Sequence, residues 1–412
     1  MSSLSADTDR VAALRRALPA TSAGIYLNTG TCGPLPAETA AAMAEIADWE
    51  VRLGRASPDI ALDVAQRMDE ARAAIAAIIG ADIHDIALTH AVSEALNVAT
   101  WGIDWRPGDR AVSARQFEHA GGLGPLYTVR DRLGVQLELV DIGSGGHPER
   151  VLAALDRAIS PGTRLVSLSH VSHATGAVLP IAQIAQLAHA RGALLAVDGA
   201  QAVGAIPVDM AALGADLYAI AGQKWLLGPQ GTGALYIAPE ALERVRMTYA
   251  SSGSFEAHDL RGLARPWPDA RRFEGTSGIN QGLVIGLARS CGWLSMYVGL
   301  EWALRRSAEL ARATAERLAA TSGVEVVTPL GAMAGLVTFR IPGWPAQAVV
   351  EELGARVFAI SRTVDELDAI RFSIGWFNTE DELERAIGLV AELAAHTPES
   401  MPARRTLQGL DG

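Results

Sequence analysis

An acidic and a basic side chain follow two neighbouring strand-like runs in the middle of the chain. Asp198 ends the apolar run 194–198, and Lys224 follows the next run, 217–220. Open α/β sheets form their ligand crevice at the carboxyl ends of their strands, so we expect both side chains at one edge of a parallel sheet. A carboxylate and an amine placed in this way suit a cofactor that carries an aldehyde and a ring nitrogen.

Lys224 is the only lysine in the sequence, and all the other residues among the 35 Lys and Arg are arginine. A guanidinium group stays protonated and cannot form an imine, so a chain that uses arginine as its ordinary cation keeps lysine where an amine has chemistry to do. The pair therefore predicts a pyridoxal 5′-phosphate (PLP) site. Lys224 forms the Schiff base, and Asp198 keeps the pyridine nitrogen protonated as an electron sink.

The composition is that of a globular protein of about two domains. The chain has 412 residues, 49% of them apolar, and a formal net charge of −11. This acidic balance, without a basic run interleaved with aromatic residues, argues against nucleic-acid binding. The two cysteines, Cys32 and Cys291, are too few for a disulfide scaffold or a multi-cysteine metal site, and we expect no metal. The polar segment 1–10 and the lack of an uncharged apolar run of about 18 residues predict a soluble, cytoplasmic protein without a membrane partner.

Short apolar runs alternate with Ala/Leu-rich stretches of helical period from residue 26 to about 237. This alternation predicts an α/β fold in which a mostly parallel, seven-stranded sheet is wrapped by helices. We expect an N-terminal segment at 1–24, a large domain at 25–285 and a smaller α+β C-terminal domain at 286–412. The strands predicted for the large sheet are 85–89, 110–113, 136–140, 165–169, 194–198, 217–220 and 233–237. The helices predicted between them are 36–54, 61–80, 93–101, 148–158 and 180–191.

The rhythm of strands and helices changes after residue 248. Residues 249–275 are rich in Gly, Pro and Arg and predict a long irregular segment, which in a compact protein is often functional. A helical region is expected at about 280–321. Later elements are predicted as strands 324–327, 335–340, 357–360 and 370–374 and as helices near 345–353 and 380–395.

Several motifs together resemble those of the class V aminotransferase superfamily of fold-type I PLP enzymes. This superfamily includes cysteine desulfurases, isopenicillin N epimerase-like proteins and cyst(e)ine carbon–sulfur lyases. The resemblance covers about residues 24–395 and implies the fold-type I architecture. The matching motifs are Tyr26-Leu27-Asn28-Thr29-Gly30, Glu118-His119, Leu168-Ser169-His170 with Thr175-Gly176, Asp198-Gly199-Ala200-Gln201, Gln223-Lys224-Trp225 with Gly228-Pro229, Glu274-Gly275-Thr276, and Arg371-Phe372-Ser373 with Asn378-Thr379.

The resemblance implies roles for four residues around the cofactor ring. Lys224 is the Schiff-base lysine and later the base that moves the Cα proton. Asp198 pairs with the pyridinium, and Gln201 donates to the phenolate oxygen. His119 stacks on the ring face, for which a structural role at the start of a helix is the alternative.

The phosphate is expected at the turn 91–94, which leads from a strand into a helix. The Ser93 hydroxyl and adjacent N–H groups, including that of Glu94, could hold it with the help of the helix dipole. In the superfamily a residue that matches Thr276 reaches the phosphate from the neighbouring subunit, which implies a homodimer with shared active sites. Gln223 stands where relatives commonly have His, and it can donate to phosphate but cannot titrate near neutral pH.

Two arginines are the expected substrate contacts. Arg371 resembles the C-terminal-domain arginine that clamps the α-carboxylate of an amino-acid substrate as a bidentate partner. Arg362 could bind a second, distal carboxylate, which would favour cystine or an extended thioether. A surface ion pair is the alternative for Arg362.

The motifs favour one reaction and leave others open. A cysteine desulfurase needs a thiolate on a C-terminal-domain loop, and residues 328–339 and 357–371 contain no cysteine. The details are most similar to the cyst(e)ine carbon–sulfur lyases, which implies β-elimination of a sulfur leaving group through a Lys224 aldimine and a quinonoid. Epimerisation or racemisation needs a second base, and transamination needs protonation of the cofactor carbon C4′ instead. The segments that carry the likeness are Trp101-Gly102-Ile103-Asp104-Trp105, Gly176-Ala177-Val178-Leu179-Pro180 and Arg362-Thr363 with Arg371.

Absorbance separates the PLP hypothesis from a nicotinamide-dependent oxidoreductase, whose GxGxxG motif does not follow the early strands. Purified protein is expected to absorb at roughly 400–430 nm, and borohydride reduction of the Lys224 Schiff base is expected to abolish the band. A protein without the band contradicts the hypothesis. A PLP-binding sensor would show the band without turnover.

Overall fold

The computed structural model describes residues 7–55, 58–115, 118–248, 250–274 and 279–402. Its strands are, in chain order, β1 (Ile25–Tyr26), β2 (Ile86–Thr89), β3 (Arg110–Ala114), β4 (Gln136–Val140), β5 (Thr163–Ser169), β6 (Leu194–Asp198), β7 (Leu217–Ala221), β8 (Gly233–Ile237), β9 (Phe255–His258), β10 (Ala264–Pro266), β11 (Glu325–Val326), β12 (Leu336–Arg340), β13 (Ala359–Ile360), β14 (Arg362–Val364) and β15 (Ala369–Ser373). Its α-helices are α1 (Thr8–Arg15), α2 (Ala37–Leu53), α3 (Pro58–Ile79), α4 (Val92–Trp101), α5 (Ala120–Leu133), α6 (Pro148–Ala158), α7 (Ile181–His189), α8 (Met210–Leu213), α9 (Gln281–Gly292), α10 (Leu300–Ala319), α11 (Ala346–Val357) and α12 (Glu380–Ala394).

Seven strands form the large sheet, in the order β2-β8-β7-β6-β5-β3-β4. β8 runs antiparallel to both of its neighbours, and the other neighbouring strands are parallel. All residues of β6 and β7 are buried, as expected of strands that helices cover on both faces. The mostly parallel, helix-wrapped seven-stranded sheet expected from the sequence is confirmed.

The register of the sheet brings polar side chains to one level at its carboxyl edge. Asp198 on β6 lies opposite Ser169 on β5 and opposite Ala219 on β7. Lys224 follows β7 by three residues. The edge at which parallel strands end is therefore the place where the acid and the amine meet.

Helix α5 lies in a stretch that the sequence did not predict as helical. Its first turns hold Gly121, Gly122 and Pro125, which have low helix propensity. The His119 ring caps the helix by accepting the Gly121 N–H at 3.0 Å, and Leu126 is buried against the sheet. Capping and burial thus outweigh propensity here.

Residues 250–274, the described part of the segment expected to be irregular, are more regular than expected. Strands β9 and β10 form an antiparallel ribbon, and short 3₁₀ turns flank it at Ser252–Ser254 and Ala270–Phe273. The end of the segment is fixed by a buried ion pair, since Arg72 of α3 donates two hydrogen bonds to the Glu274 carboxylate, at 2.8 and 2.6 Å.

The C-terminal part has its own sheet, in the order β11-β12-β15-β14, against which α11 and α12 pack. β1 pairs with β13, so the start of the chain joins this part. The first turns of α10 pack with the large sheet and its last turns pack with the smaller one, for example through Trp302 and Leu318 respectively. The domain limits at 24/25 and 285/286 stay a prediction.

One helical stretch, Gln281–Ala319, is long and apolar enough to cross a membrane by length and composition. It consists of α9, a π-helical segment at Trp293–Gly299 and α10. Trp293 and Leu294 pack into the same hydrophobic core as the large sheet. The stretch therefore has the packing of a core helix.

Candidate active site

A cavity of about 250 Å³ lies at the carboxyl ends of β5, β6 and β7, between the large sheet and the C-terminal part. Eight residues selected from the sequence line it: Ser93, His119, Asp198, Gln201, Gln223, Lys224, Arg362 and Arg371. Thr276 lies outside the described residues. The Glu94 carboxylate does not line the cavity and accepts the His90 backbone N–H at 2.7 Å, so the expected contribution of Glu94 reduces to its own backbone N–H.

Lys224 stands in a tight turn that follows β7. The Leu227 N–H donates to the Lys224 carbonyl at 3.1 Å, and Leu227 adopts a left-handed conformation with φ of 57°. Gly33 packs directly on this turn, where a Cβ would collide with the Lys224 carbonyl oxygen. Burial lowers the pKa of the Lys224 amine, while the Asp198 carboxylate opposes that shift. The lowered pKa favours the neutral amine, which is the nucleophilic form.

Asp198 faces the same cavity as Lys224. Its Oδ1 accepts the Ala200 N–H at 2.9 Å, which fixes the carboxylate at the end of β6. The Asp198 side chain is buried, and its charge interacts with the charge of Lys224. The two residues on which the sequence hypothesis depends thus lie on one side of the sheet, in one cavity.

The His119 ring is fixed as a neutral acceptor at the start of α5. Its Nδ1 accepts the Gly121 N–H, so the ring proton lies on Nε2. Burial, and next the Lys224 charge, lower the pKa of His119. The ring contacts His173 edge-on, with centroids 5.4 Å apart. A neutral, oriented imidazole is suited to packing on the face of a flat cofactor.

The N-terminus of α4 forms an anion cradle at the other end of the cavity. Ala91 at the N-cap position makes no side-chain hydrogen bond to the helix, and Val92 and Ser93 line the cavity. Gly121 lies against Ser93, where a Cβ would collide with the hydroxyl. Helix N–H groups and the Ser93 hydroxyl can therefore hold a phosphate.

Two glutamine amides lie deeper in the cavity. Gln201 donates to the Gly30 carbonyl at 2.8 Å and accepts the Trp225 indole N–H at 2.9 Å. The Gln223 Oε1 is buried and has no hydrogen-bond partner among the described residues. The Gln223 amide also carries an N–H donor group at Nε2, and its expected contact with a phosphate stays a prediction.

Arg371 is a buried cation on the wall of the cavity, 1% exposed. It donates to the His173 carbonyl at 2.7 Å, and its Nε has no partner among the described residues. In the described part of the chain no carboxylate forms an ion pair with it. Arg362 on β14 is its register partner, and burial together with the Arg362 charge lowers the pKa of Arg371 to about 9. Among the described residues no carboxylate forms an ion pair with Arg371 or with Arg362, and two such guanidinium groups create a site for anions.

Glu118 is a functional candidate whose role the sequence did not indicate beyond its place in a motif. Its carboxylate accepts the Ser169 N–H at 3.0 Å and the Ser169 hydroxyl at 2.6 Å. Burial raises the pKa of Glu118 to about 7, the Ser169 hydrogen bonds lower it, and the Asp198 charge raises it. Glu118 precedes His119 in the chain, and its partner Ser169 lies opposite Asp198 in the sheet. Only the assembled sheet therefore shows that Glu118 lies beside the strand that carries the acid.

In the described part of the chain, no group of three or more His, Cys, Asp and Glu side chains could hold a metal ion.

A mostly parallel seven-stranded sheet with a lysine and a carboxylate at its carboxyl edge defines the class of PLP-dependent enzymes of fold type I. The sequence matches the family Aminotransferase class-V over residues 25–386, and the chain belongs to this family.

Two relatives and two solved structures of C-DES show what the chain is similar to. A probable cysteine desulfurase of Methanothermobacter thermautotrophicus is 27% identical over 398 residues, covering 92% of this chain and 97% of the relative. An isopenicillin N epimerase of Streptomyces clavuligerus is 31% identical over 379 residues, covering 88% and 92%. The structure of the cystine C–S lyase C-DES with its reaction product cysteine persulfide has a TM-score of 0.85 and 26% identity, covering 91% of this chain and 99% of that one. A C-DES mutant with glycine covalently linked to its PLP cofactor has a TM-score of 0.86 and 25% identity, covering 92% and 98%.

The chain is thus an enzyme that uses PLP, and the cavity fits this cofactor. The N–H groups at the start of α4 suit a phosphate, Asp198 suits a protonated ring nitrogen and Lys224 suits an aldehyde, and these residues line one cavity. Arg371 Nε is a buried donor without a hydrogen-bond partner among the described residues, as expected of a site that receives an anionic ligand.

The raised pKa of Glu118 predicts a pH-dependent stability. The folded protein holds a proton that the unfolded chain releases above its ordinary pKa of 4.5, so this group favours the folded state at low pH and the benefit is lost as the pH rises through about 7. In Glu118→Gln, which cannot ionise, melting temperatures should improve relative to the parent protein between pH 5 and pH 8. The exposed Glu45→Gln serves as the control, and equal pH profiles for the parent and Glu118→Gln would contradict the assignment.

Proposed function

We propose that this enzyme catalyses β-elimination of a sulfur leaving group from a cystine-type amino acid. The observation that carries the proposal is the pair of guanidinium groups, Arg371 and Arg362, on the cavity that also holds Lys224. L-Cystine carries two carboxylates, one for each arginine. Of the residues described as lining the cavity, Asp198 is the only carboxylate, so the charge of the cavity favours a substrate that carries a carboxylate at each end.

Each chemical step uses a group of this chain. PLP, when bound, withdraws electrons from the Cα of the amino acid. Lys224 binds the cofactor and, once its amine is released, takes the Cα proton, for which its lowered pKa suits it. Asp198 holds the proton on the ring nitrogen, and His119 packs on the ring face. Arg371 clamps the α-carboxylate.

The remaining proposed contacts anchor the cofactor. Ser93, the N–H groups at residues 92–94 and the Gln223 amide bind the phosphate, and Gln201 donates to the phenolate oxygen. We also propose a homodimer with shared active sites, as the family resemblance implies. Thr276, to which the resemblance gives a phosphate contact across the subunits, lies outside the described residues. We place the enzyme in the cytoplasm.

The overall reaction balances without a further oxidant or reductant. Loss of the Cα proton and cleavage of the Cβ–S bond convert L-cystine into aminoacrylate and cysteine persulfide. Water then converts aminoacrylate into pyruvate and ammonia.

The positions of the two cysteines support a lyase over a desulfurase. Cys291 is fully buried, and burial raises its pKa to about 12, so its thiol is not nucleophilic near neutral pH. Cys32 lies between β1 and α2, and the C-terminal segments 328–339 and 357–371 contain no cysteine. The persulfide then leaves on the product, as in the complex of the cystine C–S lyase C-DES with its reaction product cysteine persulfide.

Epimerisation is the second candidate, favoured by the 31% identity to an isopenicillin N epimerase. It uses the same removal of the Cα proton but returns a proton to the opposite face of the carbon. The two candidates differ in whether a bond at Cβ breaks.

Incubation with L-cystine tests the reaction. We expect pyruvate and persulfide in equal amounts, and we expect Lys224→Ala to lose at least about 10³-fold of the rate because it removes the proton acceptor. The variant Glu45→Gln, which changes an exposed residue outside the cavity, is the control for expression and purification and should keep the parent rate. Products are measured by pyruvate reduction and persulfide trapping.

Other products contradict the elimination. Deuterium exchange at Cα without pyruvate indicates epimerisation, keto acid with pyridoxamine phosphate indicates transamination, and a spectral change without turnover indicates a sensor. Residual turnover in Lys224→Ala contradicts the assigned base.

The second carboxylate predicts a substrate-specific effect of Arg362→Gln. Loss of a charged hydrogen bond is expected to raise the KM for L-cystine about 10-fold to 100-fold and to leave S-methyl-L-cysteine, which lacks the distal carboxylate, nearly unchanged. Arg340→Gln is the matched control, because Arg340 lies in the same sheet and donates to the Leu367 carbonyl at 2.7 Å. An equal rise in KM for both substrates would show that Arg362 does not bind the distal carboxylate.

A further inference from the structure

The Gln201 amide is held between two partners with opposite and unambiguous hydrogen-bonding chemistry. The Trp225 indole N–H can only donate, and it lies 2.9 Å from Gln201 Oε1. The Gly30 carbonyl can only accept, and it lies 2.8 Å from Gln201 Nε2. These two contacts determine which end of the amide is oxygen and which is nitrogen.

We propose that Trp225 is a positioning residue that fixes the Gln201 amide so that its second N–H points into the cofactor cavity. One amide hydrogen is used by Gly30, and the oxygen is used by the indole. Gln201 lines the cavity, so the group it has left to offer there is a donor. A donor is what a phenolate oxygen requires, and the inference therefore rests on the role proposed for Gln201.

Packing holds the indole in place. Trp225 is 3% exposed, and Gly335 lies so close that a Cβ there would be 2.7 Å from the ring carbon Cη2. Gly204 packs on the Trp225 backbone, where a Cβ would be 2.7 Å from the carbonyl oxygen. Trp225 also follows Lys224 directly, so the turn that places the amine also places the indole.

Removing the indole N–H should loosen the amide. The Gln201 oxygen would then lack its donor among the described residues, and the terminal torsion of a glutamine side chain is soft. The donor would face the phenolate oxygen for only part of the time, so that oxygen would become more basic.

The test is a pH titration of the visible absorbance of the holoenzyme. In Trp225→Phe the midpoint is expected to rise by about one pH unit, the size of one lost hydrogen bond to a charged group. Trp225→Tyr, which has no donor at the position of the indole nitrogen, should shift the midpoint in the same way if the Phe variant does not fold. Trp344→Phe is the matched control, since that buried indole donates to the His396 carbonyl at 2.8 Å.

A double-mutant cycle separates positioning from packing. Gln201→Ala should raise the midpoint by itself, and adding Trp225→Phe to it should cause no further shift, because the indole acts through the amide. A further shift in the double variant, or an unchanged midpoint in Trp225→Phe and Trp225→Tyr when Gln201→Ala shifts it, overturns the role of Trp225 alone. An unchanged midpoint in Gln201→Ala overturns both this inference and the proposed role of Gln201.

Discussion

The cavity depends on positive charge that the protein buries without fully neutralising it. Arg371 is almost completely enclosed, Arg362 lies opposite it, and the half-buried Lys224 lines the same cavity, while Asp198 is the only carboxylate described on the cavity wall. A buried cation without a partner costs free energy, which an anionic ligand offsets. The cavity is therefore more stable with phosphate and carboxylate groups inside it than without them.

The site also requires that separate backbone segments approach each other closely. Three loops meet at Lys224: its own turn, the segment around Gly33 and the loop that carries Gln201. Gly33 touches the Lys224 carbonyl, and Gly121 brings the start of α5 against Ser93 at the anion cradle. These glycines have no side chain because another part of the chain occupies that space.

Burial shifts the pKa values of the acid and base groups in and beside the cavity in opposite directions. The pKa of the Glu118 carboxyl is raised, and the pKa values of Lys224 and His119 are lowered. Burial thus shifts all three groups toward their neutral forms, while Asp198 faces the position expected for a ring nitrogen. This combination supports proton transfer at the substrate Cα more than it supports simple ligand binding.

The sequence by itself determined the fold class, the large sheet and the identity of the central acid and amine. Apolar runs mark buried strands directly, and the single lysine Lys224 needed no structure to be noticed. Helix α5 was not predicted because its glycines and Pro125 have low helix propensity, whereas the His119 cap and burial stabilise the helix in the folded protein. Only the tertiary structure decided that Glu118 binds Ser169, that the Trp225 indole donates to Gln201 and that the Glu94 carboxylate accepts the His90 N–H. Those contacts join residues through strand register and loop packing, which local sequence patterns do not encode.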